Sequence, residues 1–269
     1  MAATKEVAIR AYYTTLLNLW GNLHWWPAGT RFEVIVGAYL TQNTNWTNAE
    51  RALQRLRSAG RLHLDGIRSV PKRELESLIR PAGYFRQKAK RLKTFVAFVD
   101  QHYGGSFSRM FSQPTEILRE KLLQLNGVGP ETADAILLYA GQHPSFVVDA
   151  YTRRILLRHG LIGEETDYDE IRNLCRRALV PLALRDAGKV LENNADPLDT
   201  PPSDVAHRPS PMSRAPRQPI AQIYNQMHAL FVGVGKGYCL KSTPDCEHCP
   251  LRPFLPPGCM FADNAPRSE

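Results

Sequence analysis

The sequence contains no run of eighteen apolar residues and no cleavable hydrophobic core near its start. A helix that crosses a membrane needs about 20 consecutive apolar residues, and a secretory signal needs an apolar segment of its own. The first twenty-one residues instead place apolar and aromatic side chains at helical spacing. We therefore expect a cytoplasmic protein without membrane contact.

The sequence also lacks a convincing strand, because apolar and polar residues do not alternate over a sustained stretch. Apolar residues recur at spacings of three and four instead, which is the helical pattern. This pattern covers 32–56, where a polar turn interrupts it, and then 72–80, 86–100 and 115–124. It predicts an all-α fold, and 269 residues of which 43% are hydrophobic suffice for one large or two modest cores.

Acidic residues are too few to balance the basic ones. There are 26 Asp and Glu against 34 Lys and Arg, so the formal charge is +8. Such an excess favours an anionic partner, most commonly nucleic acid. An ordinary solvated surface explains the same excess, and charge alone leaves both interpretations open.

Cysteine is scarce, with five residues in the whole chain. Cys175 stands alone in a helical segment and is expected to be a small buried residue. The other four lie within twenty-one residues, at Cys239, Cys246, Cys249 and Cys259. In a reducing cytosol this spacing favours a metal site over disulfides. Tetrahedral zinc and an iron–sulfur cluster both use four thiolates, so the spacing fits either.

Residues 185–219 have little to bury, since Pro, Ser, Asp and Arg dominate their composition. We expect this segment to be a flexible surface insertion. Helical periodicity resumes immediately after it.

A short glycine-containing segment, LNGVG at 125–129, separates two helical patterns, and Pro130 and Glu131 begin the second. Pro and an acid suit the first turn of a helix. Glycines at such a turn leave backbone N–H groups free to meet a phosphate oxygen, directly or through a bound cation. A plain turn between helices is the alternative.

Asp149 follows the apolar run FVV and precedes another helical pattern. Asp is a preferred N-cap residue, so capping is the simplest interpretation. Capping is compatible with chemistry, because a carboxylate held ionised by the helix dipole can stabilise a developing cation or activate a water.

Three motifs together resemble the endonuclease III family of DNA glycosylases. They are the hairpin 125–129 with Asp149 about twenty residues later, the loop LTQNT at 40–44, and Cys239-x6-Cys246-x2-Cys249. The 40–44 loop resembles the family's loop with the glutamine wedge, which implies that Gln42 fills the space left by a flipped base. The resemblance covers nearly the whole chain except 185–219. It implies an all-α, two-lobed helix-hairpin-helix DNA glycosylase fold with a C-terminal iron–sulfur cluster loop.

The resemblance also implies a domain division. Residues 1–29 would form an N-terminal helix that packs with the C-terminal lobe, and 30–145 a helical domain that ends in the hairpin. Residues 146–263 would form the second lobe, with the cluster loop and the insertion at 185–219.

Functional residues follow from the same resemblance. Asp149 is the expected catalytic residue of a monomeric base-excision-repair enzyme that acts on damaged double-stranded DNA, associated with the nucleoid in a bacterium. The four clustered cysteines would hold a 4Fe-4S cluster, and a monovalent cation is expected at the hairpin. The residues expected to contact DNA are Gln42, Asn126, Gly127, Val128 and Gly129.

The sequence departs from the family at two places. The gap between Cys249 and Cys259 is nine residues where the family usually has five. Glu131 stands where bifunctional members carry a lysine that attacks the sugar, and a carboxylate cannot form that imine. We therefore predict a monofunctional glycosylase in which strand cleavage by lyase chemistry is weak or absent.

Aromatic residues point to the substrate. Trp25, Trp26 and Trp46, together with Glu131, resemble the base pocket of the 3-methyladenine glycosylase branch. A cationic alkylpurine stacks well on indole, although burial in the core is the ordinary role of tryptophan and a helix first turn the ordinary place of Glu131. Rival functions are a bifunctional glycosylase for oxidised pyrimidines, excision of mismatched adenine, and a non-catalytic DNA-binding or redox module.

Overall fold

The computed structural model of the chain describes residues 2–185, 198–202 and 205–256, without the side chains of 2–4 and 185. Cys259 lies outside the described residues. Within those ranges the secondary structure is helical and contains no strand, so the predicted all-α class is confirmed. No helix in the described part of the chain is both long and apolar enough to cross a membrane.

Twelve α-helices are formed by the described residues, and they group into two compact units. One unit comprises 1–27, 146–209 and 216–269, and the other comprises 28–145 and 210–215. The helices are α1 (Ala2–Trp20), α2 (Arg31–Leu40), α3 (Trp46–Ser58), α4 (Leu64–Ser69), α5 (Lys72–Leu78), α6 (Phe85–Tyr103), α7 (Phe107–Phe111), α8 (Thr115–Leu123), α9 (Pro130–Ala135), α10 (Ala150–Arg158), α11 (Tyr168–Arg185) and α12 (Pro219–Gly237).

Helix α12 is the centre of the first unit. Its residues 221–235 are buried because α1, α10 and α11 all pack against it. A Cβ added at Gly235 would collide with the ring of Tyr151 on α10, so glycine is what permits this close approach. Helix α10 is thereby held directly against the buried helix.

Helix α2 is the centre of the second unit, and all its residues after Arg31 are buried. Thr30 caps it by accepting a hydrogen bond from the N–H of Glu33, and the carboxylate of Glu33 accepts one from the N–H of Gly29. The π-helical turn Ile136–Ala140, which continues α9, packs on α2, as do α3 and α6. The helix therefore ends at Leu40 in a fixed position, and the loop 40–44 starts there.

Part of the segment 185–219 packs more closely than its composition predicts. Val205 is completely buried, Met212 is 6% exposed, and the N–H of His207 donates to the carbonyl of Leu23. Helix α11 extends to Arg185 and α12 begins at Pro219. A few apolar side chains and backbone hydrogen bonds are enough to dock the described residues of a segment that is otherwise polar.

Candidate functional site

Asp149 is the N-cap of α10, as its place in the sequence predicts. Its Oδ1 accepts a hydrogen bond from the N–H of Thr152 at 2.7 Å. Its Oδ2 lies 3.4 Å from Nε2 of His228 on α12. The side chain keeps 13% of its surface exposed. One oxygen is thus committed to the helix end, and the other faces a histidine.

The surroundings of Asp149 favour its ionised form. Burial raises the pKa of Asp149, but the charge of His228 and the hydrogen bonds from His228 and Thr152 lower it by more, so the pKa lies below its ordinary value. Asp149 is consequently a carboxylate at neutral pH. That state is the one required to stabilise positive charge.

Trp25 and Trp26 lie close to this carboxylate through His228. The Trp25 ring is 6.5 Å from the His228 ring, 5.3 Å from the His207 ring and 5.7 Å from the Trp26 ring, measured between centroids. Both tryptophans are buried, at 8% and 7% exposure. The first unit therefore brings Asp149, Trp25 and Trp26 together with two histidines, His207 and His228.

The hairpin 125–129 connects α8 to α9 in the second unit. Gly127 has φ +81°, a conformation that favours glycine, and Gly129 caps α9 with Pro130 as the first helical residue. Asn126 and Gly129 are exposed, whereas Val128 is 6% exposed and its N–H donates to the carbonyl of Leu125. Val128 therefore stabilises the turn, and the neighbouring residues form its surface.

Gln42 contacts this hairpin directly. Its Nε2 donates to the carbonyl of Gly127 at 3.0 Å and to Oγ1 of Thr132 at 2.9 Å, and its Oε1 accepts from Nη1 of Arg91 at 2.7 Å. The structure thus joins two motifs that are 85 residues apart in the sequence.

Trp46 and Glu131 belong to the second unit, whereas Asp149, Trp25 and Trp26 belong to the first. Trp46 is the first residue of α3 and is partly exposed beside its cap, Asn45. Glu131 is exposed in the first turn of α9. Their place at a substrate base stays a prediction.

The cysteine loop follows α12. Cys239 is 8% exposed and accepts a hydrogen bond at its Sγ from Nη1 of Arg158 at 3.2 Å. Burial raises the pKa of Cys249 to about 11, and the nearby thiols of Cys239 and Cys246 contribute to that rise. The arrangement of the described residues nevertheless contains no group of three or more His, Cys, Asp or Glu side chains that could hold a metal ion.

Cys175 is completely buried on α11, as expected for an isolated cysteine in a helix, and burial raises its pKa. It is therefore a packing residue.

Sequence reasoning missed two residues of these arrangements, His228 and Arg91. His228 lies on a helix that is buried along 221–235 and yet carries polar residues at Gln222, Asn225 and Gln226. Buried polar groups require partners, so polar residues on an apolar helix were a usable signal for His228. Arg91 lies among several basic residues on α6, and nothing in the sequence distinguishes it from them.

Comparison with known proteins identifies the class. Residues 36–181 match the model of the HhH-GPD superfamily base excision DNA repair protein. The chain is 39% identical over 255 residues to a putative DNA repair glycosylase, MJ1434, of Methanocaldococcus jannaschii, covering 94% of this chain and 98% of that protein. The chain therefore belongs to the HhH-GPD superfamily of base excision repair DNA glycosylases, and the resemblance seen in the sequence is confirmed.

Solved structures agree with this assignment. The 3-methyladenine DNA glycosylase MagIII of H. pylori, bound to 1,N6-ethenoadenine, is 27% identical with a TM-score of 0.64, covering 86% of this chain and 97% of that one. An endonuclease III–DNA complex has a TM-score of 0.65 at 19% identity, covering 97% and 96%. The second comparison shows a shared fold.

Proposed function

We propose that this protein is a monofunctional DNA glycosylase that flips a damaged base out of duplex DNA and hydrolyses its N-glycosidic bond with Asp149. The observation that carries the proposal is the state of Asp149. It is a carboxylate that caps α10, its pKa is lowered, and it lies next to His228 and the Trp25–Trp26 pair. The domain division at 30–145 and 146–263 is part of the same proposal.

The chemistry requires little beyond this carboxylate. Cleavage at the anomeric carbon places positive charge on the sugar in the transition state, and a fixed negative charge nearby lowers the barrier. A water that Asp149 activates completes the hydrolysis. The target base must first leave the stack, which costs a few kcal/mol and costs less for a damaged base.

Monofunctional action is supported by Glu131. This residue occupies the position at which a bifunctional relative would need a nucleophilic lysine, and its carboxylate cannot form a Schiff base. The product would be an intact abasic site.

An alkylated purine is the proposed substrate class. Trp25 and Trp26 lie, largely buried, in the unit that contains Asp149, and we propose that a positively charged base is attracted to their indole rings. The similarity to a 3-methyladenine glycosylase, MagIII, favours this class over oxidised pyrimidines. Roles for Trp46 and Glu131 at the base are proposed from the sequence pattern.

We further propose that Gln42 and the hairpin contact DNA, through the exposed Asn126 and Gly129 and the backbone of Gly127 and Val128, with a monovalent cation at the turn. Backbone contacts of this kind position a duplex without reading its sequence. DNA binding by a monomer, its place in the cytoplasm or nucleoid, and a fall in affinity with rising salt belong to the same proposal.

Cys239, Cys246 and Cys249 are proposed to hold a 4Fe-4S cluster with Cys259, which lies outside the described residues. The spacing Cys239-x6-Cys246-x2-Cys249 supports this, and a bound cluster would supply structural order to their loop. Protein purified without oxygen should contain about four irons per chain, one for each thiolate. Stoichiometric zinc instead would contradict the assignment.

A panel of duplexes, each with one defined lesion, tests the function. An alkylated purine should be released while the strand stays intact until alkali is added, and borohydride should trap no adduct. Strand cleavage at neutral pH with a trapped imine would favour the bifunctional alternative. Release of adenine opposite oxidised guanine would favour mismatch excision, and no release from any duplex would favour a non-catalytic module.

A further inference from the structure

The amide of Gln42 has a fixed orientation in the free protein. On one side lies the guanidinium of Arg91, which can only donate hydrogen bonds. On the other side lies the carbonyl of Gly127, which can only accept them. The carbonyl oxygen of the amide must therefore face Arg91 and its nitrogen must face the hairpin, because a reversed amide would lose both bonds.

These contacts use most of the bonding capacity of Gln42. Its two N–H groups point to Gly127 and Thr132, and Oε1 already accepts from Arg91. One lone pair of Oε1 remains. The side chain is thus held at three points, whereas a glutamine on an open loop samples many rotamers.

Arg91 is itself held by the shape of the hairpin. A Cβ added at Gly127 would collide with the Nε, Cδ and Cζ atoms of Arg91, so the guanidinium lies directly against the glycine backbone. One turn earlier on α6, the buried Nζ of Lys88 donates to the carbonyls of Leu40 and Ala82, each at 2.8 Å. Helix α6 therefore fixes the start of the 40–44 loop with Lys88 and the tip of Gln42 with Arg91.

We propose that Arg91 is the positioning residue for Gln42: it presets the amide so that Gln42 fills the space left by a flipped base without first being ordered. This inference rests on the proposed function, since it assumes that Gln42 enters the duplex. Ordering a long side chain costs free energy at the moment of binding, and a side chain that is ordered beforehand avoids that cost.

The test uses a DNA that no glycosylase reaction can change. It is a duplex with one tetrahydrofuran abasic analogue and 2-aminopurine opposite, whose fluorescence reports how the gap is filled. Arg91→Ala and Gln42→Ala should each slow the fluorescence change by about ten-fold, the scale expected from the ordering cost of one long side chain. The double variant should be no slower than either single one, because Arg91 acts through Gln42.

Lys90→Ala is the matched control, since it removes one positive charge from an exposed neighbour on the same helix. It should weaken binding slightly and leave the rate of the fluorescence change as in the wild type. Arg91→Lys keeps the charge and loses the planar fork. If the position of Gln42 matters, its fluorescence change should be as slow as that of Arg91→Ala. It also provides a second test if Arg91→Ala is unstable.

Additive effects in the double variant, or a wild-type rate in Arg91→Lys, would overturn the inference and make Arg91 an ordinary phosphate contact. The proposed function fails separately, in the lesion panel, because the abasic analogue requires no base release. A protein that fills the gap but releases no base would retain this inference and lose the catalytic one.

Discussion

Two aspartates, fifteen residues apart in the sequence, are held in different ways. Asp134, in the second unit, is completely buried; Arg119 donates to both of its oxygens at 3.0 and 3.2 Å, and Ser145 donates at 2.5 Å. Asp149, in the first unit, keeps some exposure and has a backbone N–H and a histidine as neighbours. The Arg119 guanidinium donates to both oxygens of Asp134, whereas Asp149 has one oxygen bound to the N–H of Thr152 and the other 3.4 Å from Nε2 of His228, with 13% of its side-chain surface exposed.

The difference is the one expected between a structural carboxylate and a carboxylate that serves the proposed reaction. A buried ion pair is costly to break because the remaining charge has no compensation. A carboxylate that serves a reaction must be ionised and still have bonding capacity toward the reacting atoms. Burial alone would not have distinguished these two aspartates, but the character of their partners does.

The largest effect, a loss of stability, is expected when Asp134 is removed. Asp134→Ala removes the carboxylate that accepts two hydrogen bonds from the buried Arg119 guanidinium, and should lower the free energy of unfolding by about 3–5 kcal/mol in urea titrations. Asp65→Ala removes one of the two carboxylates, Asp65 and Asp100, that pair with the exposed Arg68, and should cost about 0–1 kcal/mol. Equal losses of unfolding free energy in the two variants would show that the buried Arg119–Asp134 pair contributes no more to stability than an exposed pair.

A change at Asp149, the proposed catalytic residue, should lower activity. Asp149→Asn should reduce base release by about 100-fold or more, roughly 3 kcal/mol in the barrier. DNA affinity should be retained, and so should the helix cap, because Asn is as good an N-cap as Asp. Asp167→Asn, the same change where Asp167 accepts from the N–H of Glu170, should leave base release unchanged. Normal single-turnover release by Asp149→Asn would reassign the catalytic carboxylate.

Lys88 extends the comparison to a buried cation whose Nζ donates to two carbonyls. Burial, and then the charge of Arg91, lower the pKa of Lys88 from 10.5 to about 8. The unfolded chain therefore binds more protons between those two values, so the contribution of Lys88 to stability should improve as pH rises from 8 to 10.5. Lys88→Met should remove that part of the pH dependence in thermal melts. Lys90→Met should not, since Lys90 is exposed.

The smallest effect concerns the stability contribution of Asp149. Its folded-state pKa lies below the ordinary value of 3.8. The contribution is therefore complete above that value and is lost as pH falls through the folded-state pKa. Any stability advantage of the wild type over Asp149→Asn should shrink as pH is lowered below 3.8. A gap that widens on acidification would contradict the lowered pKa.

Local features were predictable from the sequence. The helix predicted at 86–100 is α6, Phe85–Tyr103, and Asp149 caps its helix because capping depends on neighbours within three residues. The hairpin and its proline followed from glycine and proline geometry. Family membership was readable because three motifs occur in order.

Contacts over long sequence distances were not predictable in the same way. His228 meets Asp149 and Arg91 meets Gln42 only after helices far apart in sequence have packed. The docking of Val205 was missed because one apolar side chain in a polar segment gives no periodic signal. These contacts depend on where the fold places each side chain, and the residue type alone does not predict them.

The aromatic cluster at Trp25 gives the first unit an optical property. The Trp25 indole has two imidazoles at 5.3 and 6.5 Å and a second indole at 5.7 Å. Its fluorescence therefore depends on these contacts. Intrinsic fluorescence can thus follow events beside Asp149 without a label on protein or DNA. Trp26→Phe and Trp25→Phe would assign the signal to one ring, and Asp149 itself would remain unaltered during the measurement.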